Sequence, residues 1–258
     1  MSKTAFAVGA HPDDIEFLMA GTLLLLKEAG YEIHTMNIAN GSCGTIRYDL
    51  ETITKIRREE SLEAARVAGA VYHDSLVNDI EIFYEKSTLA RLASIIREIS
   101  PEILLVHSPE DYMEDHTNAC RLAVSAAFSR GMPNFPADPP REPTNQDVTI
   151  YHCQPHLNRD PLGKLVYPEI FVDISGVINK KAVMLACHKS QKEWLDRSQG
   201  MDSYLVSQRN LAREVGAMSG RFEFAEGWRK HLHAGFCPES ADPLREALGP
   251  LTFVNESY

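Results

Sequence analysis

Three side chains able to bind a metal or move a proton stand together early in the chain. They are His11, Asp13 and Asp14, within Gly9-Ala10-His11-Pro12-Asp13-Asp14-Ile15-Glu16. Imidazole nitrogens and carboxylate oxygens are ligands for zinc and similar divalent cations. Adjacent carboxylates do not easily share one role, so one can ligate a cation while the other stays free to take a proton. A second set spans His107-Ser108-Pro109-Glu110-Asp111 and Asp115-His116. A His, an Asp and a further His leave a fourth position open, the pattern of a catalytic rather than a structural metal site.

Both sets fall where elements change type. Ala5 to Gly9 is a short apolar run ending in glycine and is expected to form a first strand. Ile15 to Ala29 is expected to be one helix, stopped by Gly30, with a second strand over Glu32 to Ile38. Glu51 to Ala68 is a long charged helix closed by Gly69, and Leu89 to Ile99 is an amphipathic helix before Pro101. Ile103 to Val106 is a buried strand, followed by a helix over Asp115 to Arg130. Later come strands at Thr149 to Cys153 and Ile170 to Ile174, then helices from about Val177 to Arg197 and Tyr204 to Met218. Strands separated by helices at this spacing predict an α/β fold, a doubly wound, mostly parallel sheet with helices on both faces. Such sheets place their sites at the carboxyl ends of the strands, where both ligand sets emerge.

The expectation is a single domain over 1–258. A Pro-rich loop near 132–147 interrupts it, and an irregular tail runs from about residue 222. The net charge of -10 weighs against nucleic acid and anionic membranes as partners, because the long-range field has the wrong sign. No apolar run approaches the roughly 20 residues of a membrane span. Five scattered cysteines without C-x-x-C spacing predict neither a disulfide framework nor a thiolate metal site. A cytoplasmic protein is expected, as a monomer or a homo-oligomer. Asn40-Gly41-Ser42-Cys43-Gly44 is no P-loop, since no Gly-Lys-Ser/Thr follows. Glu16 is expected to support the first helical turn, and Trp228, His231 and His233 to lie on a surface tail.

The ordered motifs carry a resemblance. Ala10-His11-Pro12-Asp13-Asp14 with Glu16 and Gly21-Thr22 resembles the opening signature of the LmbE-like (PIG-L) family of N-acetylglucosaminyl deacetylases. Asn40-Gly41-Ser42 with Gly44, and Arg57 with Glu60, Ala64, Ala65 and Gly69, are similar to its next segments. So are Asp115-His116, and Asp173-Ile174-Ser175 with Lys181, His188 and Gln191. The resemblance implies a Rossmann-like fold and a zinc ion (Zn2+) held by His11, Asp14 and His116. It implies Asp13 as general base and an N-acetylated sugar conjugate as the small-molecule substrate. Asp115 is expected to orient His116 from behind, and Arg57 and His156 to bind substrate.

One position departs from the pattern. Family members often read His-Pro-Asp-His where this chain reads Met113-Glu114-Asp115-His116. The first of those histidines helps stabilise the tetrahedral intermediate, and a thioether donates no hydrogen bond. Losing one oxyanion donor costs about 100- to 1,000-fold in rate unless another group replaces it. His188 is the first expected replacement and a catalytic residue on that reading, with His156 second and His152 also available. Met113 equally fits a zinc-dependent hydratase or lyase acting on an unsaturated acid, or a non-enzymatic metal-containing binding protein.

Overall fold

The computed structural model describes residues 3–192, 203–256 and 258. Its strands are β1 (Thr4–Gly9), β2 (Glu32–Asn37), β3 (Val71–His73), β4 (Ile103–Val106), β5 (Thr149–Cys153), β6 (Ile170–Asp173), β7 (Ala225–Lys230) and β8 (Thr252–Val254). They form one sheet in the order β3-β2-β1-β4-β5-β7-β6-β8. The first five are parallel. The last three join antiparallel. The mostly parallel α/β arrangement is as expected. Strand order reverses between β1 and β4, and the crevice above that reversal is where open α/β sheets bind ligands.

Alternation along the strands builds a core on each face. Ala5 and Ala7 of β1 and Ile103 and Leu105 of β4 pack with Leu23, Leu24 and Leu26 on one side. Phe6, Val8, Leu104 and Val106 pack with Leu92, Ile96 and Leu122 on the other. The first side is covered by α1 (Asp14–Leu18), α2 (Ala20–Glu28) and α6 (Ile178–Leu185). The second is covered by α4 (Lys86–Ile99) and α5 (Glu114–Ser129). The long helix α3 is Leu50–Ala68, capped as expected by Gly69 in the left-handed conformation, and α7 is Ser203–Ser219. Residues 132–147 contain no helix or strand, as expected from their prolines. Their entry is gathered by Arg97, whose guanidinium donates to the carbonyls of Ser129, Arg130, Met132 and Phe135. Among the described residues no helix is long and apolar enough to cross a membrane.

Four expectations need correction. The helix over Ile15 to Ala29 is broken at Met19, and α2 starts afresh. The cause is Glu226, whose carboxylate accepts the backbone N–H groups of Gly21 (2.8 Å) and Thr22 (2.7 Å). Gly21 permits this approach, since a Cβ there would meet Ile174 at 2.6 Å. Second, the segment after 222 is not an irregular surface tail. It supplies β7 in the sheet interior, with Trp228 fully buried and its indole N–H donating to Thr22 at 2.9 Å. Third, α6 ends at Leu185, and a new helical turn begins at Lys189. The expected helix beyond residue 192 lies outside the described residues. Fourth, β3 was not anticipated, because three residues at a sheet edge carry too little periodicity to register.

Glu226 also receives Lys181 Nζ at 2.5 Å, with both side chains at most 3% exposed. One carboxylate therefore caps α2, neutralises a buried ammonium and ties β7 to α6. Glu226→Ala should strand Lys181 and uncap α2, costing about 3–5 kcal/mol in urea unfolding. A loss below about 1 kcal/mol would contradict this account.

Candidate active site

The turn after β1 is closed by Asp14. Its Oδ2 accepts the backbone N–H groups of His11 (2.7 Å) and Ala10 (3.2 Å), and His107 Nε2 from the end of β4 lies 3.2 Å away. These partners occupy Oδ2, so Oδ1 is the oxygen turned to His116 Nε2, at 3.4 Å. His11 Nδ1 lies 3.5 Å from Asp14 Oδ2.

The second nitrogen of each histidine is also held. His11 Nε2 donates to Asp115 Oδ2 at 2.9 Å, and His116 Nδ1 donates to Asp111 Oδ1 at 2.9 Å. In the neutral ring, a carboxylate on one nitrogen places the proton there and leaves the other nitrogen's lone pair free. The free nitrogens, His11 Nδ1 and His116 Nε2, point toward Asp14. His11, Asp14 and His116 could therefore hold a metal ion, their ligand atoms lying within 4.8 Å of one another. Four bonds of about 2.0–2.1 Å in a tetrahedron place ligand atoms about 3.3–3.4 Å apart, and the His116 Nε2–Asp14 Oδ1 separation of 3.4 Å is of that size. His107, Asp111 and His116 make a second convergent group that shares His116.

Burial opposes charge on His11, but hydrogen bonds to Asp115 and Asp14 outweigh it and raise its pKa to about 9. Burial is likewise overcome at His116 by Asp14 and Asp111, which raise it to about 10. Asp14 lies well below the ordinary carboxylate range: burial works against this, and the surrounding histidines prevail.

Asp13 stands apart from this group. Its backbone is left-handed (φ 113°), a conformation rare outside glycine and held here by its surroundings. Its Oδ2 accepts the Tyr204 hydroxyl at 2.7 Å, and Arg57 Nη2 is 3.7 Å away. Burial pushes its carboxyl up to about 6, with Arg57 pulling the other way. A base near neutrality is suited to accept a proton and return it.

The site opens into a cavity of about 430 Å³ lined by His11, Asp13, Asp14, His116, His156 and Tyr204 among others. Arg57 reaches this wall, yet it is 2% exposed and donates to the Pro12 carbonyl and to Gln191 Oε1. A Cβ at Gly41 or Gly44 would strike Arg57, which gives that glycine-rich loop its physical reason. His156 lies on the wall, and burial holds its imidazole below the ordinary value. His188 does not reach the cavity. It is fully buried at the break after α6, with Nε2 3.4 Å from Glu16 Oε2. Asp115 faces His11 rather than His116. Asp111 and Tyr204 were not anticipated as partners of His116 and Asp13. Tyr204 is remote in sequence and carries no local signal, whereas Asp111 lies in a segment already singled out.

Fold and cavity together are those of an α/β enzyme with its site at the carboxyl edge of a parallel sheet. Similarity to known proteins makes the class specific. The family model PIG-L, GlcNAc-PI de-N-acetylase, matches residues 6–128. The chain is 31% identical over 239 residues to 4-oxalmesaconate hydratase of Pseudomonas putida, covering 87% of this chain and 88% of that one. It is 28% identical over 234 residues to diacetylchitobiose deacetylase of Thermococcus kodakarensis, covering 88% and 82%. N,N'-diacetylchitobiose deacetylase from Pyrococcus horikoshii superposes with a TM-score of 0.76 over 93% of this chain and 88% of that one, at 23% identity. This protein belongs to the PIG-L (LmbE-like) family.

With pKa values of about 9 and 10, His11 and His116 are protonated in the metal-free protein at pH 7. An imidazole ligand must be neutral, so a cation competes with two protons, and apparent affinity falls as pH drops below about 10 and more steeply below about 9. Calorimetric zinc titration at pH 7, in buffers of different ionisation enthalpy, should report release of about two protons per chain. Release of fewer than one would contradict the charge state. Asp111→Ala and Asp115→Ala should each weaken zinc binding by about 10- to 100-fold.

Proposed function

We propose that this protein is a zinc-dependent hydrolase that removes the acetyl group from an N-acetylated amino sugar or its conjugate. The observation that carries this reading is the convergence of His11, Asp14 and His116 beside Asp13, a carboxylate outside the donor set, in one cavity. The similarity to diacetylchitobiose deacetylase supports the substrate class. Zinc, when bound, supplies Lewis acidity at the acyl oxygen and at water. Asp13 takes a proton as water adds to the carbonyl carbon, and returns it to nitrogen as the C–N bond breaks. Tyr204 and Arg57 hold Asp13 in place. Met113 on the wall cannot donate and His188 is enclosed, and on this reading His156, which lines the cavity, stabilises the oxyanion. The five free cysteines fit a reducing, cytoplasmic setting.

Met113 supports a second reading, a hydratase using the same donors to add water to an unsaturated organic acid. The similarity to 4-oxalmesaconate hydratase points the same way. Zinc-loaded protein should release acetate from N-acetyl sugars. Turnover of conjugated unsaturated diacids alone, followed by loss of ultraviolet absorbance, would establish the second reading instead.

Residue roles are separable by metal content. Asp14→Ala, His11→Ala and His116→Ala should lose zinc, measured by elemental analysis. Asp13→Asn should keep zinc while kcat collapses, because an amide cannot accept the proton. Zinc lost from Asp13→Asn and kept in Asp14→Asn would mean the roles are reversed. His156→Ala should keep zinc and lower kcat by about 100-fold, the scale of one oxyanion donor. A change of only a few-fold would exclude His156 from that role.

A further inference from the structure

Two aliphatic side chains on the cavity wall are held out in solvent by strained backbone. Ile80 is 65% exposed at φ 63°, and Leu157 is 56% exposed at φ 60°. A β-branched residue in the left-handed region is a steric outlier, and such conformations persist only where the surroundings over-determine them. Here they do. The Ile80 N–H donates to Asp115 Oδ2 at 2.7 Å. Its neighbour Asp79 accepts the N–H groups of Gly41 (2.7 Å) and Cys43 (2.9 Å). Leu157 is fixed from both sides, by His156 N–H to Asp111 Oδ2 (3.0 Å) and Asn158 N–H to the Pro155 carbonyl (2.9 Å).

The same carboxylates that orient His11 and His116 thus also pin the loops that present Ile80 and Leu157. Tyr112, 58% exposed, lies on the same wall and packs its ring against His116 and His156. His116, by contrast, is 3% exposed, so the donors form the floor and these three side chains the mouth. Nothing in the chemistry at the floor requires large apolar groups at the mouth. Their exposure is unfavourable unless a ligand covers them.

We propose that Ile80, Tyr112 and Leu157 form an apolar collar that binds an aryl or alkyl group joined to the N-acetylated sugar. The substrate is then an apolar conjugate rather than a free sugar. This rests on the deacetylase reading for the sugar and on the collar alone for the apolar group.

The test uses zinc-loaded Asp13→Asn protein, so that binding is read without turnover. Two probes are compared by calorimetry: the p-nitrophenyl and the methyl β-glycosides of N-acetylglucosamine. The aryl glycoside should bind about 10-fold or more tightly, the scale expected for covering an aromatic ring. Ile80→Asn and Leu157→Asn, made separately in that background, should each reduce this preference at least about 3-fold. Asparagine accepts left-handed backbone, so neither change should lower the melting temperature. Equal affinities, a preference that survives both substitutions, or binding of neither probe would overturn the collar. So would a self-association in which Ile80 and Leu157 are covered by a second copy of the chain. Acetate release by the unsubstituted protein is measured separately. No release from either probe with the aryl preference intact would sink the deacetylase reading and leave the collar standing. Equal release and equal binding would do the reverse.

Discussion

The Asp14 carboxylate is the constraint on which the carboxyl edge of the sheet depends. One of its oxygens is consumed by the backbone of its own turn and by His107, reaching across from the neighbouring strand. That closure fixes the direction in which β1 gives way to α1, and it leaves the other oxygen facing His116. A serine could cap such a turn, but it would bring no charge to the cluster of imidazoles. The turn and the convergent donor group that could hold a metal ion therefore draw on the same side chain.

Around it, the interior is dense in ionisable groups. Asp13, Asp14, Asp111, Asp115, His11, His107, His116 and Arg57 are all largely buried, and each has a partner of the opposite kind. Such pairs roughly offset their own desolvation and contribute little net stability. What they supply is direction: the ring nitrogens and carboxylate oxygens that have partners leave the remaining atoms determined by elimination. The second tie, Glu226 with Lys181 and the start of α2, works the same way between β7, α2 and α6.

The two carboxylates behind the histidines link this floor to the mouth of the cavity. Asp115 serves His11 and the Ile80 loop, and Asp111 serves His116 and the His156 turn. A displacement of either loop is therefore felt at a donor nitrogen. Strain at Ile80 and Leu157 is concentrated where those shared bonds hold the backbone.

Much of this was written locally. The strand–helix alternation, the Gly69 cap and the His-Pro-Asp-Asp turn follow from period, turn chemistry and residue type within a few positions, and these the sequence determined by itself. The place of β7 was not legible. Ala225-Glu226-Gly227-Trp228 has no strand period, and Glu226 looks solvent-directed until Lys181 is seen beside it. His188 looked like a donor because its neighbours match a motif, yet the break after Leu185 encloses it against Glu16. Tyr204 reaches Asp13 across 191 positions, and Asp115 turned to His11 rather than to its neighbour His116. Residue type declares which groups can ligate or donate. Which partner each one meets is decided by long-range packing, because a buried polar atom takes whichever counterpart the tertiary fold brings within hydrogen-bonding reach.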